Sequence, residues 1–220
     1  MVVPALDEAA EIEPCLQALQ ALREEGHEVI LVDGGSRDET PELARPLVDR
    51  VLFSPPGRSR QMNVGAACAK GDVLWFVHAD TRITETAGHL ILESLNNASP
   101  GWGYFAVRLS GSRWMLRLVE ALMNVRSRWS GIATGDQGLF VTRRLFEQVG
   151  GFPKIPLMED VGLSKRLKAV RRPHCVRARL TTSSRRWEQK GIVRTILLMW
   201  RLRAAYALGV SAHRLAMRYD

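Results

Sequence analysis

Residues 73–80 read Val-Leu-Trp-Phe-Val-His-Ala-Asp, a run of five apolar residues that ends in a histidine and an aspartate. A continuous apolar run of this length is typical of a β-strand that is covered on both faces. Residues 28–33 (Glu-Val-Ile-Leu-Val-Asp) form a second such run, and residues 2–4 (Val-Val-Pro) begin a third. Stretches with apolar residues three and four positions apart separate these runs, as in half-buried helices. The alternation predicts an α/β protein with a Rossmann-like, mostly parallel sheet flanked by helices.

The second half of the chain follows a different pattern. We interpret residues 104–109 as a strand with one exposed face and residues 159–169 as a helix. From residue 191 onward, apolar residues stand beside arginines, which predicts basic amphipathic helices. We therefore expect one domain over residues 1–190, extended by a basic helical segment over residues 191–220.

Charge is divided unevenly along the chain. The 220 residues carry 31 Lys and Arg against 23 Asp and Glu, a formal net charge of +8. Residues 161–220 hold 15 basic and 2 acidic residues, which leaves 16 and 21 for residues 1–160. This asymmetry indicates that the C-terminal segment meets something anionic: nucleic acid, a membrane surface or a phosphorylated substrate. Of these, an anionic membrane surface is a candidate partner of residues 191–220, and we expect no nucleic acid partner. The alternative is a pair of helices packed on the domain with arginines that face water.

The cysteine content and the hydropathy indicate the compartment. Cys15, Cys68 and Cys175 are far apart and lack CxxC spacing, which argues against a disulfide scaffold and for a reducing environment. We expect no signal peptide, and no apolar run approaches the roughly 20 residues of a spanning helix. A cytoplasmic protein, peripheral at the inner face of the membrane at most, is the expectation. The sequence does not indicate an oligomeric state.

Acidic residues follow three of the predicted strands. They are Asp7 with Glu8, Asp33, and Asp80. Because the carboxyl ends of parallel strands meet at one edge of a sheet, these carboxylates would repel one another unless a cation or a hydroxyl-rich ligand binds there. Each alone is as easily a helix cap or a loop residue. The sequence lacks GxGxxG, GxxxxGK[ST], GxSxG and HExxH, which disfavours dehydrogenases, P-loop proteins and two classes of hydrolase.

Six segments, in order, resemble the family 2 glycosyltransferases of the GT-A fold. They are residues 3–9 (VPALDEA), 32–38 (VDGGSRD), 71–81 (GDVLWFVHADT), 135–138 (GDQG), 158–160 (MED) and 184–187 (SRRW). The resemblance covers roughly residues 1–190 and is greatest to the small bacterial branch of transferases associated with radical-SAM and selenodomain proteins. It implies the GT-A (nucleotide-diphospho-sugar transferase) fold and metal-dependent, inverting transfer of a sugar to an unknown acceptor, for which a lipid-linked molecule is one class.

The resemblance implies a set of residues that bind the nucleotide sugar. They are Pro4, Ala5, Leu6, Glu8, Asp33, Arg58, Gln61, His78, Asp80, Arg186 and Trp187. The turn at residues 4–8 would hold the base through backbone groups, and Asp33 would accept a hydrogen bond from the base or ribose. Arg58 and Gln61 open a helix, where amides and a guanidinium suit a diphosphate. In the final motif, Arg186 would neutralise the leaving diphosphate, although the family's leading glutamine is replaced here.

This chain departs from the common metal-binding motif of the family. Where the family has Asp-any-Asp, this chain has His78-Ala79-Asp80. Asp80 keeps the position of the carboxylate that ligates Mg²⁺ or Mn²⁺, both of which accept oxygen ligands. His78 would contact the ribose or the metal; a packed histidine at a strand end is the alternative.

The resemblance also implies the catalytic pair and an acceptor loop. Asp160 would be the general base and Glu159 its neighbour, although carboxylates in a first helical turn also stabilise the helix dipole. Asp136 and Gln137 would form a loop that faces the acceptor or sugar, and a type I turn would use the same residues.

Two other functions are alternatives to glycosyl transfer. A nucleotidyltransferase of related fold would require a glycine- and lysine-rich phosphate loop after the first strand, where this chain has Leu6-Asp7-Glu8-Ala9. The second alternative is a catalytically weak adaptor that binds membrane or nucleic acid. In that case His78 would mark a metal site that has been lost. Retention of Asp80, Glu159 and Asp160 together speaks against the adaptor.

Overall fold

The computed structural model describes residues 1–96 and 101–218, without the side chain of Arg186. In this part of the chain the strands are β1 (Val2–Ala5), β2 (Ile30–Asp33), β3 (Arg50–Phe53), β4 (Val73–Trp75), β5 (Thr81–Arg82), β6 (Trp102–Leu109), β7 (Phe140–Thr142) and β8 (His174–Thr182). The helices are α1 (Ala9–Gln17), α2 (Gln20–Glu24), α3 (Thr40–Ala44), α4 (Arg58–Cys68), α5 (Ala87–Asn96), α6 (Trp114–Ser130), α7 (Arg143–Gln148), α8 (Glu159–Val170), α9 (Arg185–Lys190), α10 (Ile192–Ala207) and α11 (Ala212–Ala216).

The strands form two sheets, a parallel one in the N-terminal half and a mixed one in the C-terminal half. Strands β1, β2 and β3 are parallel neighbours in that order. A parallel bridge between Val2 and Phe76 connects β1 to the residue that follows β4. The remaining strands run in the order β4-β7-β6-β8-β5, where β6 and β8 are parallel and the other pairs antiparallel. The predicted α/β fold with a parallel sheet flanked by helices is confirmed.

Strand β6 differs from its prediction. Seven of its eight residues are buried, and only Arg108 is exposed. Successive residues point to opposite faces: Phe105 packs in one core cluster with Trp75, and Tyr104 packs in a second cluster with Phe76. The expectation of one exposed face was therefore wrong, because the structure covers both faces of this strand.

The helical regions show two features that the sequence pattern does not indicate. The stretch of helical spacing between β1 and β2 forms two helices, α1 and α2, with a break at residues 18–19. Helix α6, which was not predicted, is the longest described helix at 17 residues. Its apolar residues occur on an outward face as well as an inward one, so no single buried stripe marks it in the sequence.

The C-terminal helices pack on the domain. Leu202 of α10 and Leu215 of α11 are buried in a cluster with Met158 and Val161, which lie at the start of α8. Lys165 of α8 lies with its Nζ 5.1 Å from the centre of the Tyr206 ring. Helix α10 thus supports the helix start that carries Glu159 and Asp160.

Candidate active site

The loop after β2 is organised by Asp33. Its buried carboxylate accepts hydrogen bonds from the backbone N–H groups of Gly35 (2.8 Å) and Ser36 (2.9 Å) and from the Ser36 hydroxyl. The Ser36 hydroxyl oxygen accepts a bond from the Asp7 N–H at 2.9 Å, and the Arg37 N–H donates to Asp7 at 2.7 Å. The loops that follow β1 and β2 are therefore tied together. Asp33 shapes the predicted nucleotide site through the loop around it.

Gln61 performs a related structural task beneath the same loops. It is buried, and its Nε2 donates to the carbonyl oxygens of Ala5 (2.7 Å) and Val32 (2.9 Å). A Cβ atom on Gly34 would lie 3.1 Å from this side chain. The amide nitrogen of Gln61 is thus engaged with strand ends and is not directed at a diphosphate. Of the predicted residues on the turn after β1, Pro4 and Ala5 are buried in β1, whereas Leu6 is exposed.

Carboxylates and two arginines face one another at the carboxyl ends of the strands. Burial, and then the charge of Asp136, raises the pKa of Asp80, while His78 and Arg58 oppose the rise. Burial and the charge of Asp80 likewise raise the pKa of Glu8. The Arg185 Nη2 lies 3.4 Å from the Glu8 Oε2. Of the acidic residues predicted to gather at this edge, Glu8 and Asp80 interact, and Asp136 joins them, whereas the Asp33 carboxylate is bound by its own loop.

These groups fit a hard divalent cation. No group of three or more His, Cys, Asp or Glu side chains converges as a ready-made metal site within residues 1–96 and 101–218. Mg²⁺ is commonly held by one or two carboxylates together with phosphate oxygens and waters, so one well-placed aspartate suffices. Burial, and then the charge of Asp136, raises the pKa of the Asp80 carboxyl, and a bound cation would offset both effects.

His78 packs beneath the loop at residues 135–137. A Cβ atom on Gly135 would lie 2.2 Å from the His78 Cε1, so the imidazole lies directly against the glycine backbone. The His78 Nδ1 is 3.7 Å from the Asp136 Oδ1, and the ring is largely buried. His78 therefore links the end of β4 to this loop.

The same loop contacts the predicted base. The Asp160 Oδ2 accepts a hydrogen bond from the Gly135 N–H at 2.9 Å, and Oδ1 accepts one from the Val161 N–H at 2.7 Å. Burial raises the pKa of Asp160, and these two bonds oppose the rise. Burial, and then the charge of Asp160, raises the pKa of Glu159 to about 7. His78, Gly135, Glu159 and Asp160 line one small cavity.

The two residues of the predicted acceptor loop separate in the structure. Asp136 is partly exposed beside His78. Gln137 is fully buried: its Oε1 accepts bonds from the Ser127 hydroxyl (2.7 Å) and the Thr134 N–H (3.0 Å), and its Nε2 donates to the Phe105 carbonyl. Asp136 alone can face a ligand, while Gln137 fixes the loop to α6.

The final motif also departs from its prediction. Arg185, which was not predicted as a site residue, forms the ion pair with Glu8 described above. Trp187 is partly buried and packs against an apolar cluster of Leu116, Val119 and Ile192, through which it supports α6 and α10; its contact with the nucleotide sugar stays a prediction. The side chain of Arg186 lies outside the described residues.

Sequence reasoning missed a second arginine, Arg126 of α6. Burial lowers the pKa of its guanidinium, and the charges of Asp160, Tyr104 and Asp136 oppose that change. Its Nη2 donates to the Ser127 hydroxyl at 2.9 Å, and within the described part of the chain its buried Nε has no hydrogen-bond partner. Because α6 was not predicted, no sequence signal pointed to this cation beside the base.

Comparison with known proteins agrees with this geometry. Residues 1–104 match the family model described as glycosyl transferase family 2. The chain has the GT-A fold of family 2 glycosyltransferases. The mannosyltransferase PcManGT from Pyrobaculum calidifontis, in complex with GDP-Man and Mn²⁺, has a TM-score of 0.66 at 20% identity over 99% of this chain and 63% of that one. Residues 1–349 of S. aureus TarS, in complex with UDP-GlcNAc, have a TM-score of 0.64 at 17% identity over 83% and 57%.

A curated relative extends the match beyond the family model. Beta-monoglucosyldiacylglycerol synthase of Synechocystis sp. is 26% identical over 190 residues, which cover 76% of this chain and 39% of the relative. The chain spans about two fifths of the length of the curated relatives it matches. These findings confirm the resemblance to family 2 glycosyltransferases. Among the described residues of this GT-A protein, no helix has both the length and the apolar character needed to span a membrane.

Proposed function

We propose that the chain transfers a sugar from a nucleoside diphosphate sugar to an acceptor hydroxyl, with inversion at the anomeric carbon and with Mg²⁺ or Mn²⁺. The observation that carries the proposal is the arrangement of Asp80, Arg58 and Asp160 around one cleft at the carboxyl edge of the sheet. The charge of Arg58 opposes the rise in pKa that burial causes at Asp80 and at Glu159, which supports a guanidinium near both carboxyls. The GDP-Man and UDP-GlcNAc complexes of the structural relatives support this class of donor.

The donor side of the cleft binds the diphosphate. Asp80 would hold the cation, and Arg58, at the start of α4, would contact the phosphates. A bound divalent cation neutralises charge on the leaving diphosphate. The loops tied by Asp33 would receive the nucleoside, with Glu8 and His78 near the ribose.

The acceptor side supplies the base. Asp160 takes the proton of the acceptor hydroxyl, and the oxygen then attacks the anomeric carbon from the side opposite the diphosphate. Its two hydrogen bonds from Gly135 and Val161 fix the carboxylate in place. Glu159, with its pKa near 7, stays protonated for part of the time and thereby lessens repulsion beside the base.

We propose further that residues 1–190 form the transferase domain, with residues 191–220 as its extension against an anionic membrane at the inner face. The basic residues of α10 and α11 support this location, as does the name of the Synechocystis relative, a synthase of a glycolipid. A location at the membrane would place a lipid or lipid-linked acceptor near the active site. Membership in the branch associated with radical-SAM proteins stays a prediction.

A ligand screen tests the proposal. Thermal unfolding is measured with UDP, GDP and their sugars, each with Mn²⁺, Mg²⁺ or a chelator. A donor at 100 times its Kd should stabilise the protein by about 2.7 kcal/mol, and only with the metal. No shift with any nucleotide would contradict the proposal. Metal-dependent release of pyrophosphate from a nucleoside triphosphate and a sugar phosphate would instead identify a nucleotidyltransferase.

A further inference from the structure

Helix α6 exposes a continuous apolar stripe. Its members are Trp114, Leu118, Leu122, Val125 and Trp129, which are 73%, 51%, 44%, 62% and 91% exposed. They follow one another at spacings of four, four, three and four residues and so share one side of the helix. The opposite side is buried through Leu116, Val119 and Ser127. The stripe therefore lies on the outer side of a helix that is already fixed to the domain.

Helix α10, which neighbours α6, carries a second group of exposed apolar residues. Val193, Leu197 and Trp200 are 55%, 59% and 66% exposed and occupy one side of α10. The two helices pack together in one apolar cluster, to which Leu116 and Val119 contribute from α6 and Ile192 from α10. We call these eight exposed residues the α6–α10 apolar surface. Exposed apolar groups of this extent mark sites of protein or membrane contact.

The charges near this surface indicate which kind of partner it binds. Residues 113–130 and 191–218 contain nine arginines and a single acid, Glu120. Glu120 is buried, accepts a bond from the Leu109 N–H and lies 3.0 Å from the Arg117 guanidinium. The exposed arginines are Arg113, Arg128, Arg194, Arg201, Arg214 and Arg218. Glu188 of α9 is an exposed acid beside Gly111, just before α6, so arginines outnumber acids around the surface but are not alone there. Tryptophan and leucine on an apolar face, bordered mainly by arginine, fit the interface of an anionic bilayer.

We propose that the α6–α10 apolar surface docks this protein onto a bilayer of anionic lipids, with α6 as the main contact. This inference deepens the proposed function. The part of it that concerns a lipid acceptor rests on that function. The sequence placed membrane contact in residues 191–220 alone, whereas five of the eight apolar residues belong to α6.

The end of α6 leads into the acceptor side of the cleft. Trp129, the most exposed of the eight, is six residues before Gly135, whose N–H is bonded to Asp160. The Ser127 hydroxyl ties the same helical turn to the loop through Gln137. Arg126, close to Asp160 and Asp136, would meet an anionic group of a lipid acceptor beside the base. Docking through α6 would thus bring a lipid hydroxyl to the reactive side of the protein.

Vesicle flotation of the full chain tests the docking. Vesicles of phosphatidylcholine alone are compared with vesicles that contain one third phosphatidylglycerol, without metal or nucleotide, so that failure of catalysis cannot mimic failure of docking. The protein should bind the anionic vesicles, release at high salt and show blue-shifted tryptophan emission. The double variant Leu118→Gln/Trp129→Gln, which changes exposed side chains only, should bind at least about tenfold more weakly. Val170→Gln, at an exposed apolar residue on α8, should bind as the wild type does.

A charge variant and a mass measurement complete the test. Arg194→Gln/Arg201→Gln should weaken binding and its salt dependence, whereas Arg144→Gln/Arg172→Gln, with the same loss of charge on exposed residues outside α6 and α10, should not. Absence of binding to anionic vesicles at low salt would overturn the proposal. So would binding that is unchanged in the α6 variant. A dimer in sedimentation that Leu118→Gln/Trp129→Gln dissociates would assign the surface to a second copy of the chain instead.

Discussion

The Asp160 Oδ2 accepts a hydrogen bond of 2.9 Å from the backbone N–H of Gly135. This bond joins the start of α8, which carries the predicted base, to the loop that covers His78. Because Gly135 lies directly against the His78 ring, the base, the loop and the end of β4 form one contiguous unit. A substitution in the base, the loop or the end of β4 should therefore alter the positions of the other two.

Gly135→Ala tests this unit. The added Cβ would lie 2.2 Å from the His78 Cε1, so the loop or the ring must shift. We expect a loss of about 1–3 kcal/mol in the free energy of unfolding, as for overpacking of a core. The double variant His78→Ala/Gly135→Ala should recover much of that loss, as measured by urea unfolding in a double-mutant cycle. Strictly additive effects would show that the two residues are not coupled.

Asp80→Asn tests the metal position. The variant keeps the shape of the side chain and removes the negative charge that the cation requires. Titration calorimetry with UDP or GDP should show that Mn²⁺ no longer strengthens binding. Asp72→Asn is the matched control, because Asp72 is an exposed acid just before β4, at the far end of the same segment. If Asp80→Asn binds the nucleotide with unchanged Mn²⁺ dependence, Asp80 is not the ligand.

Arg58→Gln tests the diphosphate contact. Loss of the guanidinium should weaken the binding of a nucleoside diphosphate by roughly tenfold or more and leave binding of the nucleoside nearly unchanged. Arg60→Gln provides the comparison, since Arg60 is exposed on the same helical turn. Equal losses for the two variants would point to a general charge effect without a specific contact.

Asp160→Asn tests the catalytic base. An asparagine retains one oxygen acceptor for Gly135 or Val161 but cannot take a proton, so turnover should fall by roughly 10²–10⁴. The dissociation constant of the nucleotide should change little, since the donor lies on the other side of the cleft. Turnover within a few-fold of wild type, with the fold intact by circular dichroism, would leave Asp160 with a structural role only.

Glu159→Gln tests the raised pKa of Glu159. A carboxyl whose pKa rises from 4.5 unfolded to about 7 folded binds its proton more tightly in the folded state. Its contribution to stability is therefore fully present below pH 4.5 and is lost as the pH rises to about 7, a difference on the order of 3 kcal/mol. Glutamine cannot ionise, so the variant should melt several degrees above wild type at pH 8.5.

The difference in melting temperature between Glu159→Gln and wild type should depend on pH. At pH 5, where Glu159 is protonated, the variant and the wild type should melt at similar temperatures. Glu13→Gln, at an exposed acid on α1, should show no such pH-dependent difference. Equal melting temperatures of Glu159→Gln and wild type at both pH values would indicate that Glu159 ionises as a solvated carboxyl does.

The sequence by itself determined the strands that build the parallel half of the sheet and the position of Asp80 and Asp160 in their motifs. These features are local: apolar runs such as residues 29–32 bury themselves wherever they lie, and the carboxyl end of a parallel strand faces the ligand edge in any sheet of this kind. The same runs allowed the resemblance to family 2 glycosyltransferases, which the comparisons confirm.

Only the tertiary structure decided which polar residues reach the cleft. Gln61 and Gln137 carry side chains suited to a ligand, yet carbonyls and hydroxyls distant in sequence occupy their amides. Arg126 and the outer stripe of α6 were missed for the converse reason, because a helix that is apolar on two sides has no single periodic face. Hydrogen-bond partners and burial are set by contacts between residues far apart in the chain, and spacing along the sequence does not record those contacts.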